Sequence, residues 1–291
     1  MKVLVVGLSK GGVGKSTLAL MICDELAVRR QCKVLAIDHD PQGSLAKFLL
    51  PPMAEIGENP GDLWSLAQGA RDVPSLANAI EQITRKDQCS IETAPGAPGR
   101  LDLIAPFSAL NFANVTYSAQ RFTGLHTEAL SRALRQAFVH MGYDYVVIDT
   151  PGSESAYTLP TVGLADALIV PVIPEPVTRQ ELNKFLDIVR AGAPNDRLRG
   201  LVLVSQVRIN EGHHSDIQAL KREFSAPGHR HHSWVRVLNR RLMYRMDFGR
   251  ALFPRDGRGA YRKHKNIKEK YREAHEEMVR AVVDEIADAL Q

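Results

Sequence analysis

The sequence predicts an α/β fold: a mostly parallel, twisted sheet with helices on both faces. Three observations carry this. Short, nearly all-apolar runs alternate with longer segments of helical spacing, the pattern of strands buried on both sides. A glycine-rich stretch, residues 7–17, joins the first apolar run directly to a helix-compatible segment, Leu18 to Val28. Three charged loops follow apolar runs directly, at the carboxyl ends of strands, where such sheets bind ligands.

Residues 2–7 read as the first strand and 15–29 as the first helix. Lys33–Ile37 is the second strand, running into Asp38-His39-Asp40-Pro41-Gln42-Gly43. Proline and glycine mark 51–61 as loop. Asp62–Gln68 and Pro74–Ile83 have helical spacing, with Gly69 breaking them apart. Residues 84–100 end in Pro95-Gly96-Ala97-Pro98-Gly99 and read as a turn or loop before a strand at Leu101–Ala105. Thr127–His140 carries Leu130, Leu134, Ala137 and Phe138 on one helical face. Further strands follow at Tyr145–Ile148, Leu168–Ile173, Leu201–Ser205 and Trp234–Leu238. Helices are expected at Arg179–Ala191, Ile217–Phe224 and from Lys265 to Leu290. In the last, Ile267, Tyr271, Met278, Val282, Ile286 and Leu290 form one stripe. The 291 residues are expected to form one domain, with a variable insertion at about 51–100 and a basic part at about 229–291.

Composition narrows the class. The apolar share of 44% supports a substantial core. No apolar run approaches the roughly 18–20 residues that span a bilayer, and Val3–Val6 is too short for a signal peptide. Cys23, Cys32 and Cys89 lack metal-ligand spacing and read as reduced thiols of a cytoplasmic protein. The net charge of +4 is unevenly placed. Residues 229–272 hold fourteen Lys/Arg against three Asp/Glu, a local +11 that leaves −7 elsewhere and suggests a polyanionic partner.

The glycine-rich stretch has the composition of a phosphate-binding loop. Gly11, Gly12 and Gly14 leave no side chain between main chain and ligand and permit positive φ. Backbone N–H groups can then form an anion nest at a helix N-terminus. Lys15 supplies a cation for β- and γ-phosphates, and Ser16 a hydroxyl for Mg²⁺. Ser9 stands where the general pattern has glycine, while Lys10 opens the string Lys10-Gly11-Gly12-Val13-Gly14-Lys15-Ser16-Thr17. That string resembles the deviant Walker A box of the ParA/MinD family of P-loop ATPases. The resemblance implies ATP and Mg²⁺ as ligands and an ATP-dependent homodimer in which Lys10 crosses to the partner's nucleotide.

Two acidic sites complete the pattern. Asp149 ends an apolar strand and precedes Thr150-Pro151-Gly152; a carboxylate there can hold Mg²⁺ directly or through water. Asp38 and Asp40, two apart at another strand end, can approach the γ-phosphate and its metal shell, and one can orient the attacking water. Their setting resembles the Asp-x-Asp-Pro-Gln-Gly box of the ParA branch. By that match Asp40 activates water and Asp38 organises the metal side. The resemblance extends to Leu101–Pro106 and Pro171–Pro176 and covers residues 1 to about 210. Gln206 and Arg208, after the strand at 201–205, are candidates for base recognition or ordinary surface residues.

The basic segment has dense charge rather than a base code. Arg236, Arg240, Arg241, Arg245, Arg262 and Lys265 are candidates for phosphate contacts, with Arg240-Arg241-Leu242-Met243-Tyr244-Arg245 expected to put two or three cations on one helical face. Non-specific DNA and a centromere-binding, ParB-like activator are the partners the ParA resemblance implies, in a nucleoid-associated role that partitions a plasmid, mobile element or chromosome region. The alternative is a MinD-like or cargo-positioning switch. The end, Ile286-Ala287-Asp288-Ala289-Leu290-Gln291, suits docking on the core better than insertion in lipid, so no membrane is expected. His229, His231 and His232 lack matching metal ligands and read as a polar loop.

Overall fold

A computed structural model describes residues 1–7, 12–50, 63–86, 88–89, 96–106, 125–151, 158–192, 195–207, 214–243 and 269–291. The strands are β1 (Lys2–Val6), β2 (Lys33–Asp38), β3 (Arg100–Ile104), β4 (Tyr145–Asp149), β5 (Ala167–Val172), β6 (Arg199–Val207) and β7 (Val235–Met243). They form one seven-stranded sheet in the order β3-β2-β4-β1-β5-β6-β7, and every pairing between them is parallel. The helices are α1 (Lys15–Asp24, continued by a π-helical turn at Glu25–Arg29), α2 (Ser44–Leu49), α3 (Leu63–Gly69), α4 (Val73–Ile83), α5 (Leu125–His140), α6 (Thr158–Leu164), α7 (Pro176–Gly192), α8 (His214–Ser225) and α9 (Glu269–Asp288).

Alternation along the strands builds two cores. Val3 and Val5, Leu35 and Ile37, Val146 and Ile148 point to one face, where they meet Phe138, Leu182, Phe185 and Phe224. Leu4 and Val6, Val34 and Ala36, Val147 point to the other, against Leu18, Ile22, Leu26, Leu45 and the α9 residues Val279, Val282, Val283 and Ile286. Of the stripe expected from the sequence, Val282 and Ile286 are buried on the sheet and Met278 and Leu290 pack partly against it, while Ile267 and the Tyr271 side chain lie outside what is described. Lys2 Nζ donates to the Leu290 carbonyl at 2.8 Å, and Arg29 and Arg30 pair with Glu276 and Asp284. No helix among the described residues is long and apolar enough to cross a membrane.

Most expected elements appear within one or two residues. At α4 the start moves to Val73 because Asp72 caps it: its carboxylate accepts from the Ser75 N–H at 2.8 Å, and Ser75 Oγ accepts from the Asp72 N–H at 3.2 Å.

The clear correction concerns β7. Arg240 and Arg241 lie in a strand, not on a helical face. Its pairing to β6 shifts register between Val202 and Val204 and again before Val207. The shifts break strict alternation and leave Val235, Leu238 and Leu242 as the buried positions. Intervals of three and four residues imitate a helix in the bare sequence.

Candidate functional site

The phosphate loop leaves the end of β1, whose neighbour Gly7 donates its N–H to the Ile169 carbonyl at 3.1 Å. Gly12 and Gly14 have φ of 75° and 90°, a backbone that glycine adopts without a Cβ penalty. Gly14 caps α1, and its carbonyl accepts the first helical bond, from Leu18 N–H at 2.9 Å. Val13 is buried beneath the loop, while Ser16 and Thr17, in the first turn of α1, are half-buried. Lys10 and Gly11 lie outside the described residues, as do Arg208, Arg245, Arg262 and Lys265.

The first turn of α1 faces the acidic strand ends. Lys15 is only 7% exposed, and burial lowers its pKa against the opposing pull of Asp149 and Asp40. Asp38 and Asp149 are register partners across the β2–β4 ladder, and both side chains are fully buried. Burial, then the Asp38 charge, raises the Asp149 pKa well above the carboxylate range, opposed by the Ser16 hydroxyl and Lys15. Neither Asp149 oxygen has a well-formed hydrogen bond among the described residues. An orphaned buried carboxylate beside a hydroxyl and another acid is the donor set that a hard divalent cation satisfies.

Asp38 differs in its hydrogen bonding. Its Oδ1 accepts from Asp40 N–H at 3.0 Å and its Oδ2 from Ala46 N–H at 2.8 Å. These bonds tie the acidic loop and the start of α2 to the end of β2; burial nevertheless lifts the Asp38 pKa to about 7. Asp40 is half-buried, its Oδ1 accepting from Gln42 N–H at 2.9 Å and its carbonyl from Gly43 N–H at 2.8 Å. That turn leaves the second carboxylate oxygen of Asp40 for other work. His39, between the two acids, is buried with Nδ1 3.2 Å from Thr161 Oγ1.

Gln206 belongs to β6 itself, with φ of 54°, and its Nε2 donates to the Gly12 carbonyl at 2.8 Å. Its neighbour Ser205, which the sequence alone does not single out, is buried with Oγ 3.3 Å from the Val13 carbonyl and 3.4 Å from that of Val172. A polar residue closing an apolar strand is the available signal. Thr150, to which the sequence reading gives no role beyond following Asp149, fastens β4 to β1 through Oγ1 on the Val6 carbonyl at 2.9 Å.

The basic candidates that are described lie apart from this site, on β7. Arg236, Arg240 and Arg241 are exposed. Arg236 reaches Glu285 at 3.5 Å, and among the described residues no carboxylate pairs with Arg240 or Arg241. Glu285 also accepts the edge-strand N–H groups of Asn239 and Arg240, each at 2.8 Å. In the preceding loop His231 is buried beside Trp234 and Phe224, with Nε2 3.2 Å from Asp187. No group of metal-binding side chains appears among the described residues there.

Comparison with known proteins agrees with this architecture. The AAA domain family matches residues 1–196. The maintenance of carboxysome distribution protein A of Synechococcus elongatus is 28% identical over 196 residues, 66% of this chain and 66% of that protein. The chromosome-partitioning ATPase Soj of Thermus thermophilus is 31% identical over 198 residues, 67% of this chain and 65% of that protein. The matched stretch therefore spans about two thirds of these relatives. The ATP complex of a McdA variant from Cyanothece shares the fold at a TM-score of 0.66 and 20% identity, covering 99% of this chain and 96% of that one. On its loop, its acidic strand ends and these matches, the chain belongs to the ParA/MinD family of P-loop ATPases.

Proposed function

We propose that this protein is an ATP hydrolase that works as a dimeric switch: ATP closes the dimer, the dimer binds DNA without sequence preference, and hydrolysis releases it. The observation that carries the reading is the convergence of Lys15, Ser16, Asp149 and the Asp38–Asp40 loop at neighbouring strand ends. Ser16 and Asp149 would hold Mg²⁺, which supplies charge neutralisation at the β- and γ-phosphates. Lys15 binds the same phosphates from the start of α1. Asp38 fixes the acidic loop through its two backbone bonds, and Asp40 uses its remaining oxygen to orient water toward the γ-phosphate. Lys10 is assigned the partner's nucleotide. Turnover without an activator is slow, since catalysis here is positioning and charge stabilisation and a centromere-binding partner completes it. The cargo is a plasmid, mobile element or chromosome region.

A second reading, positioning of a protein assembly, draws support from the carboxysome-distribution relatives. Both readings use the same ATPase and differ in cargo. Steady-state phosphate release with Mg²⁺ and DNA tests the shared core. Wild type should turn over ATP, and Asp40→Ala should bind ATP with near-normal affinity while turnover falls at least tenfold and the dimer persists. Absence of turnover in wild type overturns the reading, and unchanged turnover in Asp40→Ala removes its role.

A further inference from the structure

In a regular strand, consecutive side chains point to opposite faces. At the end of β6 they do not: Ser205 and Gln206 both reach the phosphate loop, on the consecutive carbonyls of Val13 and Gly12. The left-handed backbone of Gln206, φ 54°, coincides with the register shift toward β7 and breaks the alternation. Glutamine adopts that conformation rarely, so it persists where surrounding contacts hold it. The Gln206 amide is also the nearest group to a Cβ built on Gly14, at 3.9 Å, so it lies along the loop rather than across open solvent.

A trans peptide directs its N–H opposite its C=O. Holding the Gly12 carbonyl on Gln206 therefore turns the Val13 N–H away from β6, and holding the Val13 carbonyl near Ser205 does the same for the Gly14 N–H. Those two N–H groups are ones that the expected anion nest in front of Lys15 would use. We infer that Gln206, with Ser205, is a positioning residue that presets the phosphate loop for the polyphosphate of a nucleotide. This rests on the ATP reading above. It gives Gln206 a role at the phosphates, where the sequence suggests contact with the base.

The test is the affinity of Mg²⁺ with a non-hydrolysable ATP analogue, and of the matching GTP analogue, for wild type, Gln206→Leu and Gln206→Gly. Leucine keeps side-chain bulk and removes the donor. Glycine suits φ 54°, so that variant should melt no lower than wild type and still lose the bond. Both variants should bind the ATP analogue about three- to tenfold more weakly, the scale of one lost neutral hydrogen bond. The ratio of ATP-analogue to GTP-analogue affinity should stay at the wild-type value. Unchanged affinity in both variants overturns the proposal, as does a loss confined to the adenine nucleotide, which would make Gln206 a base contact. Lys15→Ala separates the two layers. If wild type and Lys15→Ala bind the analogue equally, the phosphate-loop reading beneath the proposal fails. If only the Gln206 variants match wild type, the positioning role alone fails.

Discussion

Asp149 and Asp38 face one another across a parallel ladder with no water-exposed surface, with Lys15 close to Asp149. The folded chain therefore holds protons on these acids more tightly than the unfolded chain, whose aspartates titrate near 3.8. The linkage sign follows: this destabilising contribution is absent below about pH 4 and grows as pH rises through the elevated folded values. Asp149→Asn should stabilise the nucleotide-free protein at pH 8, with little effect near pH 4. The same change should weaken Mg²⁺-dependent nucleotide binding on the order of a hundredfold. Urea unfolding across pH, alongside calorimetry with Mg²⁺ and an ATP analogue, checks both signs. Equal stability at pH 8 would mean that the two carboxylates are not in conflict. The sequence made Asp149, Lys15 and Ser16 legible because loop, strand and acid follow a spacing that chemistry requires. It could not show that Asp38 is bound by two backbone amides, since Ala46 lies eight residues away across a turn.

Among the elements, β7 pairs with β6 on one side and is braced on its open edge by a residue far along the chain. An edge strand leaves backbone donors open, and Glu285 of α9 takes two of them while also pairing with Arg236. Its carboxylate is largely buried, so the bonds are charge-assisted and shielded. Glu285→Ala should cost about 1.5–3 kcal/mol, and Glu285→Gln less, because the amide oxygen still accepts one bond. Chemical denaturation measures the difference; a Glu285→Ala protein as stable as wild type would show that water replaces the carboxylate without loss. Nothing in the sequence around 239–240 or 285 points to this contact. The same holds for the β6–β7 register shift: the sequence shows a strand only over 234–238, whereas β7 runs on through Arg240 and Arg241, where the sequence suggests a helical face. Strand cores with uniform apolar runs, such as Val3–Val6 and Val34–Ile37, were readable because they face core on both sides.

At the scale of the molecule, charge is segregated: +11 across residues 229–272 and −7 over the remainder. The nucleotide loop sits at the end of β1 in the middle of the sheet, while the described part of the basic segment occupies its β7 edge. The two are separated by β5 and β6, so the DNA proposed above would meet the edge without covering the loop. Duplication of the edge in the proposed dimer would double the cations offered to one duplex and would make binding steep in ATP and in salt. Arg236 is already partnered by Glu285, whereas Arg240 and Arg241 lack carboxylate partners among the described residues. The three arginines should therefore contribute unequally. In ATP, Arg240→Glu with Arg241→Glu should weaken binding to a non-specific duplex at least tenfold and reduce the salt slope by about two, one for each phosphate no longer neutralised. Arg236→Ala should lower that slope by less than one, while both variants keep the ATP-dependent dimer. Fluorescence anisotropy at a series of salt concentrations, with ATP and with ADP, reads the slopes directly. Equal slopes in wild type and the double variant would remove this edge from the DNA interface. A slope independent of nucleotide would detach DNA binding from the switch.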